Sequence, residues 1–577
     1  MADTLHPSTT VHHPLAPLMA EEIAEVTRVI RTNGNLSSRM RFISVTLHEP
    51  PREIVRAYKP GEAFPREAEV VLIDQGKTYE AVVDIAGARI LELRHIPGVQ
   101  ASIPFEEVIE CEQCVKAYPD FQEAMRKRGI TDMDLVMVDS WPAGYYGKDD
   151  DASRRLSRPL VFVRFSPGDN GYAHPVEGLH IVVDLTNMKV VLFEDHGVVP
   201  IPQEAGNFTP DAVSMQRTDL KPLEIRQLDG PSFQVDGYFV KWQKWQFRLG
   251  FTHREGLVLH TVSYEDGGRL RPVLYRMSVA EMIVPYGDPG ALHYRRNVLD
   301  MGEHGLGVVA NSLELGCDCL GEIRYFDAYL ADGKGNVVPK RNVICMHEED
   351  YGVLWKHTDF RTEEVQVRRS RRLVVSFFTT VGVYDYGFFW YFYQDGSIET
   401  EVKLTGVMST RGMLPGEPAK PKYGTLVAPG LNAIIHQHFF NFRMEMEVDG
   451  PNNSIVEVHV EAEPEGPENP YGNAFFARET LLKREEEAQQ VVDTLASRYW
   501  KIINPHSRNR MGEPVGFKLM PGENTVAFAH ASASFLKRAR FTTKNLWVTP
   551  YHPQERFPAG EYPNQHAGGA GLPEWTQ

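Results

Sequence analysis

In the first 200 residues, the spacing of the hydrophobic positions changes twice from the helical to the strand-like period. Ile23, Val26 and Ile30 recur at helical spacing within residues 20–32, and Asn33-Gly34 follows, which predicts one amphipathic helix. Strand-like runs, bounded by Pro, Gly and polar turns, come next at residues 41–47, 68–73, 78–85 and 88–93. This part of the chain is therefore predicted to be a helix followed by a four-stranded meander.

The same order of elements returns further along the chain. A helical pattern covers residues 105–127, with a break near Pro119. Strand-like runs then follow at residues 135–138, 160–165, 180–185 and 189–193. A repeated order of helix and then strands predicts two tandem α+β domains of ordinary size, which we place at residues 1–100 and 101–205.

From about residue 230 the pattern changes to closely spaced strands. Residues 206–229 follow a proline-containing stretch and are predicted to be a linker. Beyond them, Asp-Gly pairs that begin at residues 266, 332, 395 and 449 predict hairpin turns, and only residues 481–493 have a helical pattern. Residues 230–577 are therefore predicted to form one large antiparallel β-sandwich. The expected fold class is α+β and mainly β.

Charge and composition exclude several classes of protein. The chain has 577 residues, 42% of them hydrophobic, and a formal net charge of −16. Such a charge repels nucleic acid and anionic membranes, so neither is an expected partner. The longest apolar runs are far too short to span a membrane, and the N-terminus lacks the basic and then apolar pattern of a signal peptide. We therefore expect an intracellular protein without a membrane segment.

The five cysteines are too few for a disulfide scaffold in a chain of this length. Cys111 and Cys114 have the spacing of a redox or zinc motif, but no second pair follows, so two helical cysteines without function are the favoured interpretation. Cys317, Cys319 and Cys345 lie in the predicted sandwich. Their spacing leaves open one bridge or three free thiols.

His436 and His438 are separated by one residue within a run of apolar and aromatic positions. Residues i and i+2 of a strand project from the same face, so the two imidazoles could bind one metal ion. A pair of ordinary core or surface histidines explains the pattern equally well. A third ligand is required, and the spacing selects none of the downstream candidates His459, His506, His530, His552 and His566.

A hairpin is predicted around Tyr384. An apolar strand at residues 374–380 leads into Val381-Gly382-Val383, and an aromatic strand, the Asp395-Gly396 turn and an alternating strand follow. From the residues alone, this is a hairpin with tyrosines in the core.

Taken together, four separated stretches of the chain resemble the copper-containing primary amine oxidases, which are topaquinone enzymes. The similarity extends over nearly the whole chain, and it implies the same order of two small α+β domains and a catalytic β-sandwich. Any one motif is short, but four in the right order are specific. The stretches are residues 284–289 with 297–303, 311–319 with 344–350, 379–387 and 436–438.

The resemblance implies roles for the residues in these stretches. Tyr384 would be oxidised in place to topaquinone, whose carbonyl forms a Schiff base with the substrate. His436 and His438 would be the first two copper(II) ligands. Asp300 would be the proton acceptor, and Tyr286 would hydrogen-bond to the quinone.

The same resemblance implies a disulfide between Cys319 and Cys345, with Cys317 free. It also implies the reaction: a primary amine and dioxygen would give an aldehyde, ammonia and hydrogen peroxide. A homodimer is the expected assembly. The expected compartment is the cytoplasm or the peroxisome.

Three features depart from the family pattern, one of which is Glu445, in place of an aspartate at the family's peripheral metal site, a site that is left unassigned. Val383 stands where the family usually has asparagine, and the family's third copper histidine would lie beyond Gln577, so the catalytic domain is expected to be incomplete at its C-terminus. His566 matches a position that is not a ligand in the family. These departures leave two alternatives open. One is a catalytically silent relative that acts as a binding or structural dimer, and the other is a non-haem metal oxygenase that uses His436, His438 and a carboxylate.

Overall fold

The computed structural model describes residues 13–147, 153–213, 217–522 and 524–577. In its first part, α1 packs on a sheet whose strands are hydrogen-bonded in the order β1-β2-β3-β4. Ile23, Val26 and Ile30 are buried against that sheet, as their spacing predicts. The short helix α2 was not predicted, because six residues carry too little periodicity. These elements are α1 (Ala20–Asn33), β1 (Arg41–Leu47), α2 (Arg52–Ala57), β2 (Glu67–Asp74), β3 (Lys77–Asp84) and β4 (Arg89–Ile96).

The second part begins with two helices, and Pro119 is the first residue of the second one, where its missing N–H costs nothing. The strands do not form a second meander. They form two small sheets, β5-β7 and β6-β8-β9. Pro159 separates β6 from β7 and cannot donate to a ladder, so the chain leaves one sheet there and enters the other. These elements are α3 (Phe105–Lys116), α4 (Pro119–Lys127), β5 (Val136–Asp139), β6 (Leu156–Ser157), β7 (Leu160–Val163), β8 (Leu179–Asp184) and β9 (Lys189–Asp195).

The remaining chain is built on two antiparallel sheets packed face to face, which confirms the predicted sandwich. One sheet has the order β10-β11-β12-β13-β14-β15, with β24 paired to β14, and the other has the order β16-β17-β18-β19-β20. Aromatic side chains from both sheets fill the space between them, among them Trp242, Trp245, Phe377, Trp390 and Phe392, all fully buried. Such rings contribute most of the apolar area that holds two sheets together.

The first sheet of the sandwich and the short helix before the second sheet have the following bounds: β10 (Phe233–Asp236), β11 (Phe239–Trp242), β12 (Trp245–Thr252), β13 (Gly256–Asp266), β14 (Arg269–Pro285), β15 (Asn297–Val298) and α5 (Asp300–Glu303). The second sheet consists of β16 (Arg324–Ala331), β17 (Val337–Thr358), β18 (Val365–Val381), β19 (Tyr384–Tyr393) and β20 (Ile398–Gly406). Three smaller sheets have the orders β21-β23-β22, β26-β25-β28-β29 and β27-β30. Their strands and β24 are β21 (Thr410–Gly412), β22 (Gly424–Ala428), β23 (Leu431–Ile434), β24 (Phe439–Met446), β25 (Ser454–Ala462), β26 (Phe475–Leu481), β27 (Gln489–Gln490), β28 (Tyr499–Arg508), β29 (Pro514–Leu519) and β30 (Leu546–Trp547).

Two local predictions for the sandwich are wrong. Residues 481–493 do not form an α-helix: Leu481 ends β26, where it pairs with Val456, and only a short 3-10 turn follows at Glu485–Ala488. Strand pairing outweighs the helical propensity of this glutamate-rich run. The Asp449-Gly450 pair does not close a hairpin, because β24 and β25 belong to different sheets.

The second small unit packs against the sandwich close to Asp300. The N–H of Ile103 donates to the carbonyl of Glu303 at 2.8 Å. The Tyr146 hydroxyl donates to the carbonyl of Arg295 at 2.8 Å. The ring of Trp141 lies against Tyr286, with centroids 6.2 Å apart. The second unit therefore forms part of the wall around this region of the sandwich.

A buried ion pair anchors the second unit, and it generates a stability prediction. The guanidinium of Arg155 donates to Glu107 at 2.8 Å and to the carbonyls of Ala101 and Ser102, each at 2.7 Å.

Arg155→Met leaves the Glu107 charge buried and unpaired, so we expect a loss of about 3–5 kcal/mol in the free energy of unfolding. Denaturant titration measures the loss. Arg126→Met, in an exposed pair with Glu123, is the control, and equal effects of the two changes would contradict the prediction.

Candidate active site

Tyr384 is held at the start of β19 by a tight turn. Val381 of β18 pairs with Tyr384, which leaves Gly382 and Val383 as a two-residue loop. Gly382 has φ +58°, and a glycine with positive φ at the first loop position is typical of the type II′ turns that connect hairpin strands. The Tyr384 ring is only partly buried. The turn thus fixes the ring at the edge of the sandwich core.

The segment that contains His436 and His438 is not the continuous buried strand that its sequence predicts. β23 ends at Ile434, β24 begins at Phe439, and Ile435 between them is 56% exposed. The segment is held instead by the residues after β14, because His436 forms an isolated bridge with Tyr286. The two imidazoles still lie side by side, with ring centroids 4.8 Å apart.

A chain of hydrogen bonds joins two tyrosines to His436. The Tyr286 hydroxyl donates to the Tyr384 oxygen at 3.3 Å, and the Tyr384 hydroxyl lies 3.0 Å from Nε2 of His436. Nδ1 of His436 lies 2.7 Å from the carbonyl of Ile434, which can only accept, so Nδ1 carries the proton. The lone pair of Nε2 therefore points at the Tyr384 oxygen.

His438 completes the pair of imidazoles. Its Nδ1 lies 3.1 Å from the hydroxyl of Tyr386, and its ring centroid is 5.0 Å from that of Tyr384. Burial, together with the neighbouring His436, lowers the pKa of His438 to about 4, so the ring is neutral at physiological pH. Neutral imidazole is the form that binds metals, and copper is among the metals it suits.

Within the described residues, no third histidine, cysteine or carboxylate completes a cluster with the two imidazoles. The one cluster of three possible ligand atoms within 4.8 Å of one another in that part of the chain is Cys319, Cys345 and His347. Of the downstream histidines, His459 contacts Glu461 at 2.7 Å, and Nδ1 of His566 accepts the Gly568 N–H at 3.0 Å. The site as described offers two imidazole ligands.

Asp300 begins the short helix α5, directly after β15. Because β15 pairs with the end of β14, with Val298 opposite Val284, Asp300 lies close to the part of the chain that carries Tyr286. Burial raises the pKa of Asp300 well above its ordinary value, and the negative charges of Glu303 and Glu281 raise it further. Asp300 therefore has the buried, high-pKa carboxyl that suits a proton acceptor.

Two neighbours of the tyrosines were not found from the sequence. Ser409 is within hydrogen-bonding reach of Tyr286 and Tyr384. Arg296 is buried, and its guanidinium donates to the carbonyl of Thr410 at 3.2 Å. Neither residue stands in a motif: Arg296 is held beside Tyr286 by the pairing at the end of β14, and Ser409 lies between β20 and β21 in the chain.

Cys319 and Cys345 form a disulfide, as the resemblance implies, and Cys317 is exposed and free. The bridge ties the loop after Ala310 to β17. The N–H of Asn311 in this loop donates to the carbonyl of Phe378 at 2.9 Å. The disulfide therefore supports the base of the hairpin that carries Tyr384. Cys111 and Cys114 are also free thiols, in helix α3.

Three family models match the chain. They are "Copper amine oxidase, enzyme domain" at residues 234–577, "Copper amine oxidase, N3 domain" at residues 106–209 and "Copper amine oxidase, N2 domain" at residues 13–96. The primary amine oxidase of Arthrobacter sp. (strain P1) is 46% identical to this chain, over 98% of the chain and 87% of the relative. The histamine oxidase of Arthrobacter globiformis is 43% identical, over 99% of the chain and 84% of the relative.

A peroxisomal copper-containing diamine oxidase of Nicotiana tabacum is 46% identical, over 98% of the chain and 78% of the relative. Among solved structures, a copper-containing benzylamine oxidase from Hansenula polymorpha superposes with a TM-score of 0.89 at 30% identity. That match covers 98% of this chain and 91% of the other.

The fold and the comparisons define a β-sandwich oxidoreductase. The chain belongs to the copper amine oxidase family, and its activity is the oxidative deamination of amines. This confirms the family, the fold class and the reaction that the sequence motifs imply. The family uses copper and topaquinone, with an amine and dioxygen as substrates. In the described parts of the chain, no helix is long and apolar enough to cross a membrane.

The burial of Asp300 predicts a pH-dependent stability. The pKa of Asp300 is raised on folding from about 3.9 in the unfolded chain, so the folded state binds more protons and stability falls as pH rises between the two pKa values. Asp300→Asn removes this loss. In copper-free protein we expect the variant's stability advantage to grow by up to about 1.4 kcal/mol per pH unit above pH 4, and to level off above the folded pKa.

Denaturant titrations of both proteins at a series of pH values measure this difference. Asp236→Asn, at an exposed position, is the control and should show no such trend. A stability difference between wild type and Asp300→Asn that does not change with pH would contradict the prediction.

Proposed function

We propose that this chain oxidises primary amines at Tyr384, with Asp300 as the proton acceptor and with copper(II) bound by His436 and His438. The overall reaction is RCH2NH2 + O2 + H2O → RCHO + NH3 + H2O2, in which the amine carbon loses two electrons and dioxygen gains them. The observation that carries the proposal is the placement of the Tyr384 hydroxyl 3.0 Å from Nε2 of His436. A tyrosine that is to be modified by a metal and dioxygen must lie beside a metal ligand.

The imidazole pair fits a copper site in its chemistry. His436 donates from Nδ1 to a backbone carbonyl, which is the way metal-binding histidines are usually oriented, and this leaves Nε2 for the metal. Tyr386 orients His438 in a similar way through Nδ1. When bound, copper supplies redox chemistry with dioxygen, and the quinone made from Tyr384 supplies an electron sink.

Asp300 has two proton transfers to perform. A primary amine arrives mostly as its ammonium form, so a base must first take a proton from nitrogen, and it must later take one from the α-carbon. An ordinary carboxylate is too weak a base for either task. The buried Asp300, with its raised pKa, has the higher proton affinity that both transfers require.

Tyr286 has a positioning role. Burial raises its pKa well above the ordinary value, so it remains protonated and donates its hydrogen bond to the Tyr384 oxygen. This bond fixes the orientation of the Tyr384 ring relative to His436. Arg296 places a buried positive charge near the two phenol oxygens, and that charge favours a negative charge developing on either of them.

The modification of Tyr384 is tested by phenylhydrazine, which reacts with quinone carbonyls. After aerobic copper loading, we expect one adduct per chain on the peptide that contains Tyr384, located by mass spectrometry. Tyr384→Phe is the control and should give none. Bound copper without an adduct would favour the silent relative or the non-haem oxygenase instead.

The Asp300→Asn variant tests the role of the base independently of the modification of Tyr384. We expect the variant to keep its phenylhydrazine adduct, while kcat for a primary amine falls about 10²- to 10⁴-fold because the proton acceptor is lost. Peroxide release from benzylamine or methylamine measures turnover. An Asp300→Asn enzyme with near wild-type turnover would remove Asp300 from its proposed role.

We also propose a homodimer in which the arm formed by β17 and β18 contacts the second chain. The outer part of this arm, residues 349–370, lies beyond the sandwich and is mostly exposed. Trp355 and Phe360 are 49% and 77% exposed there, which is unfavourable for large apolar side chains in a monomer.

The dimer is tested by light scattering on the purified chain. We expect a dimer mass for the wild type, and a shift toward the monomer at low concentration for the double variant Trp355→Ser and Phe360→Ser. Leu228→Ser, at a highly exposed residue outside the arm, is the control. A wild-type monomer mass at micromolar concentration would contradict the proposal.

The domain division at residues 1–100, 101–205, 206–229 and 230–577 is proposed as well. Its support is the spacing of the three family models along the chain. We propose an intracellular location, in the cytoplasm or the peroxisome. The tobacco relative and a primary amine oxidase of Pichia angusta are both named as peroxisomal.

A further inference from the structure

The backbone on both sides of Asp300 is held by buried carboxylates. On one side, the N–H of Leu299 donates to Oε2 of Glu303 at 2.8 Å. On the other side, the N–H groups of Met301 and Gly302 donate to Oε1 of Glu281 at 3.1 and 3.3 Å. Both glutamates are fully buried. The two residues that flank Asp300 are thus each fixed by a separate carboxylate.

Each glutamate also binds an arginine through its other oxygen. Arg538 donates to Oε1 of Glu303 at 2.6 Å, and Arg254 donates to Oε2 of Glu281 at 3.1 Å. We call these four residues the carboxylate clamp. Burial raises the pKa of both glutamates above its ordinary value, and the arginine and backbone N–H donors of each carboxylate act in the opposite direction, toward the anion.

The arginines of the clamp are fixed by one loop near the C-terminus. Arg254 donates to the carbonyls of Gly560 at 3.0 Å and Glu561 at 2.7 Å. Arg538 donates to the carbonyl of Pro563 at 3.0 Å. The glutamates of the clamp thus bind the backbone around Asp300, and its arginines bind residues 560–563. A movement of α5 would break several of these buried hydrogen bonds.

We propose that Glu281 and Glu303 are positioning residues for Asp300, which hold the base in place and set its proton affinity. The proposal rests on the proposed function, in which Asp300 is the proton acceptor. The geometry supports it directly, because the clamp holds the backbone of Leu299, Met301 and Gly302 and leaves the Asp300 carboxyl itself free of hydrogen-bond donors in the described chain. A base that is held through its neighbours keeps its own oxygens for the substrate.

The charges around Asp300 agree with this role. The groups that face it are Glu303 on its own helix, Glu281 on β14 and the phenol of Tyr386 on β19. Arg254 and Arg538 lie behind the two glutamates and bind them. Burial raises the pKa of Asp300 most, and the two anions raise it further, as like charges in a dry site do.

The clamp is tested by Glu281→Gln and Glu303→Gln, which keep an oxygen for the backbone N–H groups and remove the charge. We expect the apparent pKa of the acidic limb of kcat/KM to fall by about one unit in each variant. The phenylhydrazine adduct should be unchanged. Glu348→Gln is the control, because Glu348 is a buried carboxylate outside the clamp that binds Trp242 and Ser232, and it should leave the limb in place.

Glu281→Asp separates position from charge. The shorter side chain keeps the negative charge but cannot reach both Arg254 and the N–H groups of Met301 and Gly302. We expect kcat to fall about 10- to 100-fold, with the acidic limb close to its wild-type position. A merely structural role would lower the yield of folded protein and leave the kinetics of the folded fraction unchanged.

A second readout does not depend on turnover. We compare the stability of the wild-type protein and the Asp300→Asn variant, both copper-free, over a range of pH. The pH at which their difference levels off reports the pKa of Asp300 in the folded state. We expect that pH to be lower when the comparison is made in a Glu303→Gln background. If Glu303→Gln does not fold, the same comparison is made in the double variant Glu303→Gln with Arg538→Met. This variant removes both charges of the ion pair, so that neither is left buried without a partner.

The outcomes are distinguishable. Two results together would overturn the proposed role of the clamp while the proposed function stands. They are an unchanged acidic limb of kcat/KM in the glutamate variants, and an unchanged pH at which the stability difference levels off. A wild-type enzyme that binds copper but gives no phenylhydrazine adduct would overturn the proposed function, and the copper-free titration would still decide the clamp.

Discussion

The pairing of strands β14 and β24, extended by an isolated bridge between Tyr286 and His436, joins the two halves of the site. Strand β14 delivers Tyr286 at its end and, through its short pairing with β15, brings Asp300 into the same region. The segment between β23 and β24 delivers the imidazoles. The site exists only where these two parts of the chain meet, so the long course of β14, which is buried from Val273 onward, determines where the chemistry can take place.

The site combines many ionisable groups with deep burial. Asp300, Glu281 and Glu303 are all buried within a few residues of one another, an arrangement that would be strongly unfavourable without Arg254 and Arg538. Among the described residues, Glu281 and Glu303 each have an arginine partner, and Asp300 has none. The unpaired carboxyl is the one proposed to exchange protons, which agrees with the general finding that strained or uncompensated groups lie at functional sites.

Local features of the fold could be predicted from the sequence, because they depend on neighbouring residues. The spacing of Ile23, Val26 and Ile30 is sufficient for α1, and the Asp395-Gly396 pair is sufficient for the turn between β19 and β20. Features that depend on distant pairing could not be predicted. Pro159 interrupts the strand locally, but the sheets that β6 and β7 then join depend on partners elsewhere in the chain. The strand ending at Leu481 likewise depends on its partner Val456, and it replaced a helix that local propensity favours.

The same division holds for the site. The i, i+2 spacing placed His436 and His438 together, and the resemblance supplied roles for Tyr384, Asp300 and Tyr286. No local pattern points to Ser409, Arg296 or the glutamates that hold Asp300. Their relevance lies in contacts between residues more than 100 positions apart or in the burial of single carboxylates, and neither is visible in one sequence.

The anchoring of Arg254 and Arg538 by residues 560–563 also has a consequence for biosynthesis. Arg538 lies 235 positions after Glu303, its partner. Gly560, in the loop that binds Arg254, lies 306 positions after Arg254. A ribosome has released most of the sandwich before these partners emerge. The hairpin with Tyr384 can therefore fold during translation before the surroundings of Asp300 are complete, because those surroundings require residues 538–563. The order of synthesis thus places the final contacts of the base after the strands that carry the tyrosine.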